Sequence, residues 1–305
     1  MKKLKAQVTV TPNEAKRLIA KGIVQLSEVQ AALKNGKIII KSGTTPSAVA
    51  EELIGKPMGI SGRVSPSGTM GAQDRTKGIY RVLIDKGEVN TYAPNVTEIL
   101  GDADVAAQIS FFPQMGKGDV VITGANALDP QKRAGLWAGG ATLSPGHLLP
   151  AFRVQGVTII IAVGWEKLIP TSIEEAAAVA GRFSMDVSMG MPVGLIPITG
   201  KVVTETDAIS ILADVKATVI GAGGIQGAEG STTFVMEGNP AEIKKAWEII
   251  YTVKGASLSG QAETLVECEK GGEICKGYII RDGKQVPKHP SCVYREEDFI
   301  KKVFS

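Results

Sequence analysis

Hydrophobic and polar positions change period repeatedly along the chain, and each change marks an element. Pro12 to Lys21 and Gln25 to Lys34 read as helices, the second with Leu26, Val29 and Leu33 at i, i+3 and i+7 and Asn35-Gly36 as its stop. From Gly36 the chain switches to Lys-Ile-Ile-Ile-Lys41, a β-branched run expected as a buried strand. Ser42-Gly-Thr-Thr45 then forms a polar turn, Pro46 takes the first helical position, and Ala48 to Leu53 continues the helix. The glycines and prolines between Lys56 and Gly78 predict a long surface loop. Ile79 to Ile84 and Val89 to Tyr92 flank the turn sequence Asp85-Lys-Gly-Glu88, which predicts a β-hairpin. A second buried strand, Asp119 to Thr123, ends at Gly124-Ala-Asn126. A helix near Leu148 to Gln155 leads into a third strand, Val157 to Ala162. Ser172-Ile-Glu-Glu175 has capping-box spacing and opens an Ala-rich helix running to about Phe183.

Strands alternating with helices predict an α/β domain over residues 1–190, built on a doubly wound, mainly parallel sheet. Beyond it the order is strand (Val193 to Ile198), helix (Glu205 to Ala213), strand (Val215 to Ile220), strand (Thr232 to Glu237), helix (Pro240 to Tyr251) and strand (Glu263 to Val266). That order predicts an α+β ferredoxin-like βαββαβ domain over 191–267. Its second helix is the best specified, with Asn239 as cap, Pro240 in the first turn and Ile243, Ala246, Trp247 and Ile250 along one face. Residues 268–305 carry little periodicity and read as an irregular tail.

Composition narrows the partners. Thirty-four basic and 31 acidic residues leave a net charge of +3 with no basic stripe, so nucleic acid is not an expected partner. The longest apolar stretch, Val157 to Gly164, is far short of the roughly 20 residues that span a bilayer. No membrane segment and no export signal are expected, and three sparse cysteines fit a reducing cytoplasm. Homo-oligomerisation is left open.

The turn Ser42-Gly-Thr-Thr-Pro-Ser47 carries the clearest chemistry. Glycine lets the backbone approach a ligand, and hydroxyls and unpaired N–H groups at the positive end of a helix favour an anion. The same threonines would also serve as an ordinary helix N-cap. Lys37 to Leu53 resembles the phosphate-binding strand-turn-helix of ribose-5-phosphate isomerases and of the effector domains of DeoR-type sugar-responsive repressors. Asp119 to Asp129, and in register Gln155 to Leu168, are similar to segments of methylthioribose-1-phosphate isomerases and of lactate-utilisation (LUD) domains. The resemblance covers about Gly36 to Gly181. It points to the superfamily of ribose-5-phosphate isomerases, glucosamine-6-phosphate deaminases and CoA-transferases, without selecting a member.

From that resemblance Ser42, Gly43, Thr44, Thr45, Gly124 and Asn126 are expected to bind the ligand, with Gly139 and Gly140 flanking it. Asn126 stands where methylthioribose-type isomerases carry a catalytic aspartate, and an amide is no general acid or base. Asp129 is therefore a candidate base, or else a turn residue before Pro130. Glu166 and Lys167 follow the third strand at the edge where open α/β sheets bind ligands, as catalytic candidates or a solvated pair. No nucleophilic glutamate in a CoA-transferase context is found.

Gly221 to Gly230 holds glycines in a loop that a strand follows, which excludes a nucleotide-binding fingerprint and leaves a hairpin loop or a flap. Cys268, Cys275, His289 and Cys292 are weak metal-ligand candidates, because their spacing departs from compact zinc motifs. His147 is a further acid-base candidate. No cofactor is expected. The sequence thus describes a protein that binds a small phosphorylated, carboxylated or CoA-type ligand, as an isomerase or an acyl or CoA transferase. The alternatives are a non-catalytic sensor or assembly module, and a metal-binding protein.

Overall fold

Three consecutive isoleucines, Ile38, Ile39 and Ile40, are all buried at the centre of the molecule, and they show how the main sheet is made. A strand can bury successive side chains only if both its faces are covered. In the computed structural model, which describes residues 3–71, 78–92, 114–139, 148–265, 267–268, 277–281, 283–287, 289–296 and 298–305, both faces are. In chain order the strands are β1 (Leu4–Val10), β2 (Lys37–Lys41), β3 (Arg63–Ser65), β4 (Gly68–Met70), β5 (Arg81–Asp85), β6 (Glu88–Tyr92), β7 (Val120–Gly124), β8 (Ala127–Leu128), β9 (Ala134–Ala138), β10 (Thr158–Ala162), β11 (Gly194–Ile198), β12 (Lys201–Val203), β13 (Lys216–Gly223), β14 (Ser231–Gly238), β15 (Tyr278–Arg281) and β16 (Lys284–Pro287). The helices are α1 (Pro12–Val24), α2 (Ser27–Asn35), α3 (Thr44–Ile54), α4 (Leu149–Val154), α5 (Ile173–Val179), α6 (Glu205–Leu212), α7 (Pro240–Val253) and α8 (Phe299–Phe304).

The main sheet has the order β12-β10-β7-β2-β5-β6. The first four strands are parallel, and the β5-β6 hairpin adds two antiparallel strands at one edge. Ile38, Ile40, Val120, Ile122, Ile160 and Ala162 face a core shared with α1, α2 and α3. The alternate positions Ile39, Val121, Ile159 and Ile161 face a second core, closed by Leu149 and Phe152 of α4 and by Leu128 of β8. The chain is thus a mixed α/β structure with several sheets, the largest combining parallel and antiparallel pairing. Among the described residues no helix is long and apolar enough to cross a membrane.

Several predicted elements form as read, and local chemistry explains them. Ser172 caps α5 in a reciprocal pair with Glu175, and Asn239 caps α7 through the Glu242 amide. On α7, Ile243, Ala246 and Ile250 are buried, but Trp247 lies partly in solvent beside Tyr251, ring centroids 6.4 Å apart. The loop after α3 contains the short β3-β4 hairpin.

The four-stranded sheet expected over 191–267 does not form. β11 pairs with β9, beyond the second face of the main sheet, and β12 joins the main sheet beside β10. β13 and β14 pair as expected but take β1 as their third strand. At the expected last strand the chain instead makes a 3₁₀ turn, Ala262–Thr264, with Val266 outside the described residues. The cause lies at the N-terminus: Val8 and Val10 alternate with polar residues, and their apolar face completes the core that Phe234 and Met236 begin. Those residues, with Ile243 and Ile250 of α7, share one apolar cluster with Ile38 and Ile40, so the core runs without a break across the expected boundary at residue 190.

Candidate functional site

At the carboxyl edge of β2 the backbone must leave the sheet and start a helix within three residues. Gly43 makes this possible: its φ of 141° lies where a Cβ is strained, and it is the residue that caps α3. Thr44 and Thr45 are therefore the first two helical residues, and Pro46 follows them rather than leading. No side chain caps the helix, and the Thr44 and Thr45 hydroxyls have no hydrogen-bond partner among the described residues. The N-cap explanation for these threonines thus fails. Ser42, Gly43 and Thr44 are half-buried and Thr45 is buried.

The neighbouring segment Gly124-Ala-Asn126 leaves β7 beside this turn. A Cβ placed on Gly124 would lie 3.3 Å from the Pro46 ring, a tight contact that shows how closely the two segments meet. The Asn126 Oδ1 accepts from the Trp137 amide (3.0 Å), and its Nδ2 lies beside Gly62. Ser61 approaches from the same loop, and Ser42 Oγ donates to its Oγ at 3.1 Å. The structure therefore brings Ser42, Gly43, Thr44, Thr45, Gly124 and Asn126 together.

One further residue at this edge was not anticipated. Lys41 ends β2 directly before the turn and is only 8% exposed. Its Nζ has no hydrogen-bond or ion-pair partner among the described residues. Strand alternation puts it on the face of Ile39, next in register to buried Thr123 of β7, and its antiparallel partner on β5 is Arg81. Burial, aided by the Arg81 charge, pulls the Lys41 amine down from 10.5 to about 7. A charged amine in such a place costs several kcal/mol unless something pairs with it.

The other predicted residues sit elsewhere. Asp129 is fully buried and its carboxylate is committed to the protein. Oδ1 accepts from the Gln131 and Arg133 amides (3.0 and 2.9 Å), and Oδ2 from Arg133 Nε (2.6 Å) and the Ile173 amide (3.3 Å). Burial raises its pKa, but these bonds, led by those from Arg133, hold the carboxyl below its ordinary value. A carboxylate with its oxygens so engaged fastens the β8-β9 hairpin to the start of α5 and is not placed to act as a base. Gly139 packs against Met191. Gly140, His147 and Cys275 lie outside the described residues. Among the described residues no group of three or more acidic, histidine or cysteine side chains could hold a metal ion.

Glu166 turns away to the α1 face, where both its oxygens lie within 2.9 Å of the buried Lys16 Nζ. Lys167 is one-third exposed and 3.7 Å from Glu166. Beside them Glu205, fully buried at the start of α6, accepts from the Trp165 amide at 3.1 Å. Burial raises the Glu205 pKa, and the nearby Glu166 charge adds to it, against hydrogen bonds from its own amide, Trp165 and Thr232. This second cluster ties α1, α6, β14 and the Trp165–Lys167 turn together. Lys16 and Glu205 carried no sequence signal, whereas Lys41 did: it is the charge at the carboxyl end of a central strand whose three middle residues are isoleucines.

Compared with protein-family models, with curated proteins and with solved structures, the chain matches none.

Proposed function

We propose that the chain binds a small anionic metabolite at the carboxyl edge of β2 and β7, with the anionic group on the amides and hydroxyls of Ser42 to Thr45. The observation that carries this reading is Lys41, a lysine only 8% exposed that has no hydrogen-bond or ion-pair partner among the described residues, one residue from that turn. Lysines perturbed by burial concentrate at functional sites. The half-buried turn, its unused threonine hydroxyls and the dipole of α3 supply what a phosphate or carboxylate needs. Asn126 orients the ligand from the β7 side.

The reading accords with a doubly wound sheet of the isomerase and CoA-transferase type, and with a small-molecule role in the cytoplasm rather than nucleic-acid or membrane binding. Within that type, isomerase or acyl-transfer chemistry would have to use Lys41 rather than Asp129, whose carboxylate is already engaged.

Thermal unfolding in the presence of inorganic phosphate, phosphosugars, CoA and short carboxylates tests the proposal. A ligand at 100 times its dissociation constant stabilises by about 2.7 kcal/mol. The Thr44→Ala/Thr45→Ala double variant should lose that stabilisation while its unliganded melting point stays within a few degrees. An equal shift in the double variant would reject the turn as the site.

A further inference from the structure

We infer that Lys41 is a Schiff-base nucleophile, and that the ligand is an aldehyde or ketone carrying a phosphate or carboxylate, its anionic end on Ser42 to Thr45 and its carbonyl carbon at Lys41 Nζ. The inference rests on the proposed anion site and adds the class of the reacting group.

The geometry supports a carbonyl partner over a second anion. An amine meant only to neutralise negative charge is best left charged, with a carboxylate or backbone carbonyls to hold it until the ligand arrives. Lys16 has such partners in the same molecule, donating to the Pro12 carbonyl oxygen at 3.2 Å and pairing with Glu166, although burial draws its amine down as well. Among the described residues Lys41 has neither kind of partner, and its antiparallel neighbour is the cation Arg81. Its surroundings favour the neutral form, in which nitrogen keeps the lone pair that attacks a carbonyl; desolvation and a nearby cation are the recognised means of activating a lysine. With the amine at about 7, about half the Lys41 side chains are neutral at pH 7, against about one in three thousand for an ordinary lysine.

The step balances without an oxidant or reductant. The nitrogen lone pair forms a C–N bond as the carbonyl π pair moves to oxygen. A proton passes from nitrogen to that oxygen, giving the carbinolamine. The C–O bond then breaks, and the oxygen leaves as water with both protons that the amine held, so that the imine C=N remains. Water addition reverses the sequence and frees the lysine. Lys41 ends the strand and Thr45 lies in the first turn of the helix that follows it, four residues on.

The test is reductive trapping. The full chain is incubated at pH 7 with D-glyceraldehyde 3-phosphate, or in a second arm with pyruvate, in the presence of cyanoborohydride, and the modified lysines are located by peptide mass spectrometry. Expected is one dominant adduct, on Lys41, with a rate that rises through pH 7. Glycerol 3-phosphate, which has the anion but no carbonyl, should suppress it. Lys41→Met, which preserves length and apolar packing, should lose the adduct and keep its fold. The arm that reacts identifies the anionic group as phosphate or carboxylate. Labelling spread over surface lysines at equal rates, and unchanged in Lys41→Met, would overturn the inference. If glycerol 3-phosphate still stabilised the protein in that case, the anion site would stand; if it did not, the proposed function would fall as well.

Discussion

Replacing Lys41 by Met should make the protein more stable, and by an amount that depends on pH. Drawing an amine from 10.5 down to about 7 corresponds to roughly 5 kcal/mol, at about 1.36 kcal/mol per pH unit. Relaxation toward water reduces the cost in practice, so about 2 to 4 kcal/mol is expected at pH 7. The sign follows from linkage. A lysine with a depressed folded pKa binds fewer protons than the unfolded chain between pH 7 and 10.5, so wild-type stability rises with pH across that window. Below pH 7 both states are protonated and the penalty is present in full. Methionine has no such group, so the advantage of Lys41→Met should be greatest at pH 7 and below and shrink steadily toward pH 10. Urea unfolding of both proteins at pH 6, 7, 8 and 9 measures the difference directly. A difference that stays constant over that range would mean that Lys41 titrates as an ordinary lysine, and the reasoning built on its burial would be refuted. A less stable Met variant at pH 7 would show that the amine has a favourable partner.

Other substitutions separate structural carboxylates from the site. Asp129→Asn should cost about 2 to 4 kcal/mol in chemical denaturation, since it breaks a buried charged hydrogen-bond set, while leaving the ligand-induced thermal shift unchanged. Because the Asp129 carboxyl is held low, its contribution is present above the unfolded value near 3.9 and is lost as pH falls through the lower folded one; acid titration of wild type against the Asn variant reads this. Glu205, held high by burial, works in the opposite sense: the folded state keeps a proton that the unfolded chain releases, so stability falls as pH rises through that interval. Glu205→Gln should therefore match or exceed wild-type stability at pH 8 and flatten the pH profile above pH 5. Gly43→Ala should lower stability by about 1 kcal/mol or more through its positive φ, and should weaken phosphate binding by shifting the turn.

Much of the secondary structure was legible, because it follows local rules. Lys37–Lys41, the β5-β6 hairpin, the Ser172 capping box and the Asn239-capped helix need only neighbours in sequence. What failed was long-range pairing. Nothing near Leu4–Val10 announces that its partner is Ser231–Gly238, more than two hundred residues away, and with β1 placed there β11 and β12 are free to join other sheets. The site divides in the same way. The polar turn after the Lys37–Lys41 strand was readable as a turn, although the helix begins at Thr44 and not at Pro46. The contacts of Asp129 and Glu166 were not legible, because they depend on Arg133, Ile173 and Lys16, whose proximity only the fold creates. Lys41 was readable as a charge at the carboxyl end of a buried strand, but its burial beside Arg81 depends on the fold.

The most direct test of the account is an NMR titration of the lysine Nζ resonances, with Lys41 assigned by its loss in Lys41→Met, in the absence and presence of inorganic phosphate. The account predicts that Lys41 titrates near pH 7 in the free protein and that phosphate moves its resonance and raises that value, as an anion beside a buried amine must. A Lys41 that titrates above pH 10, or one indifferent to phosphate, would contradict it.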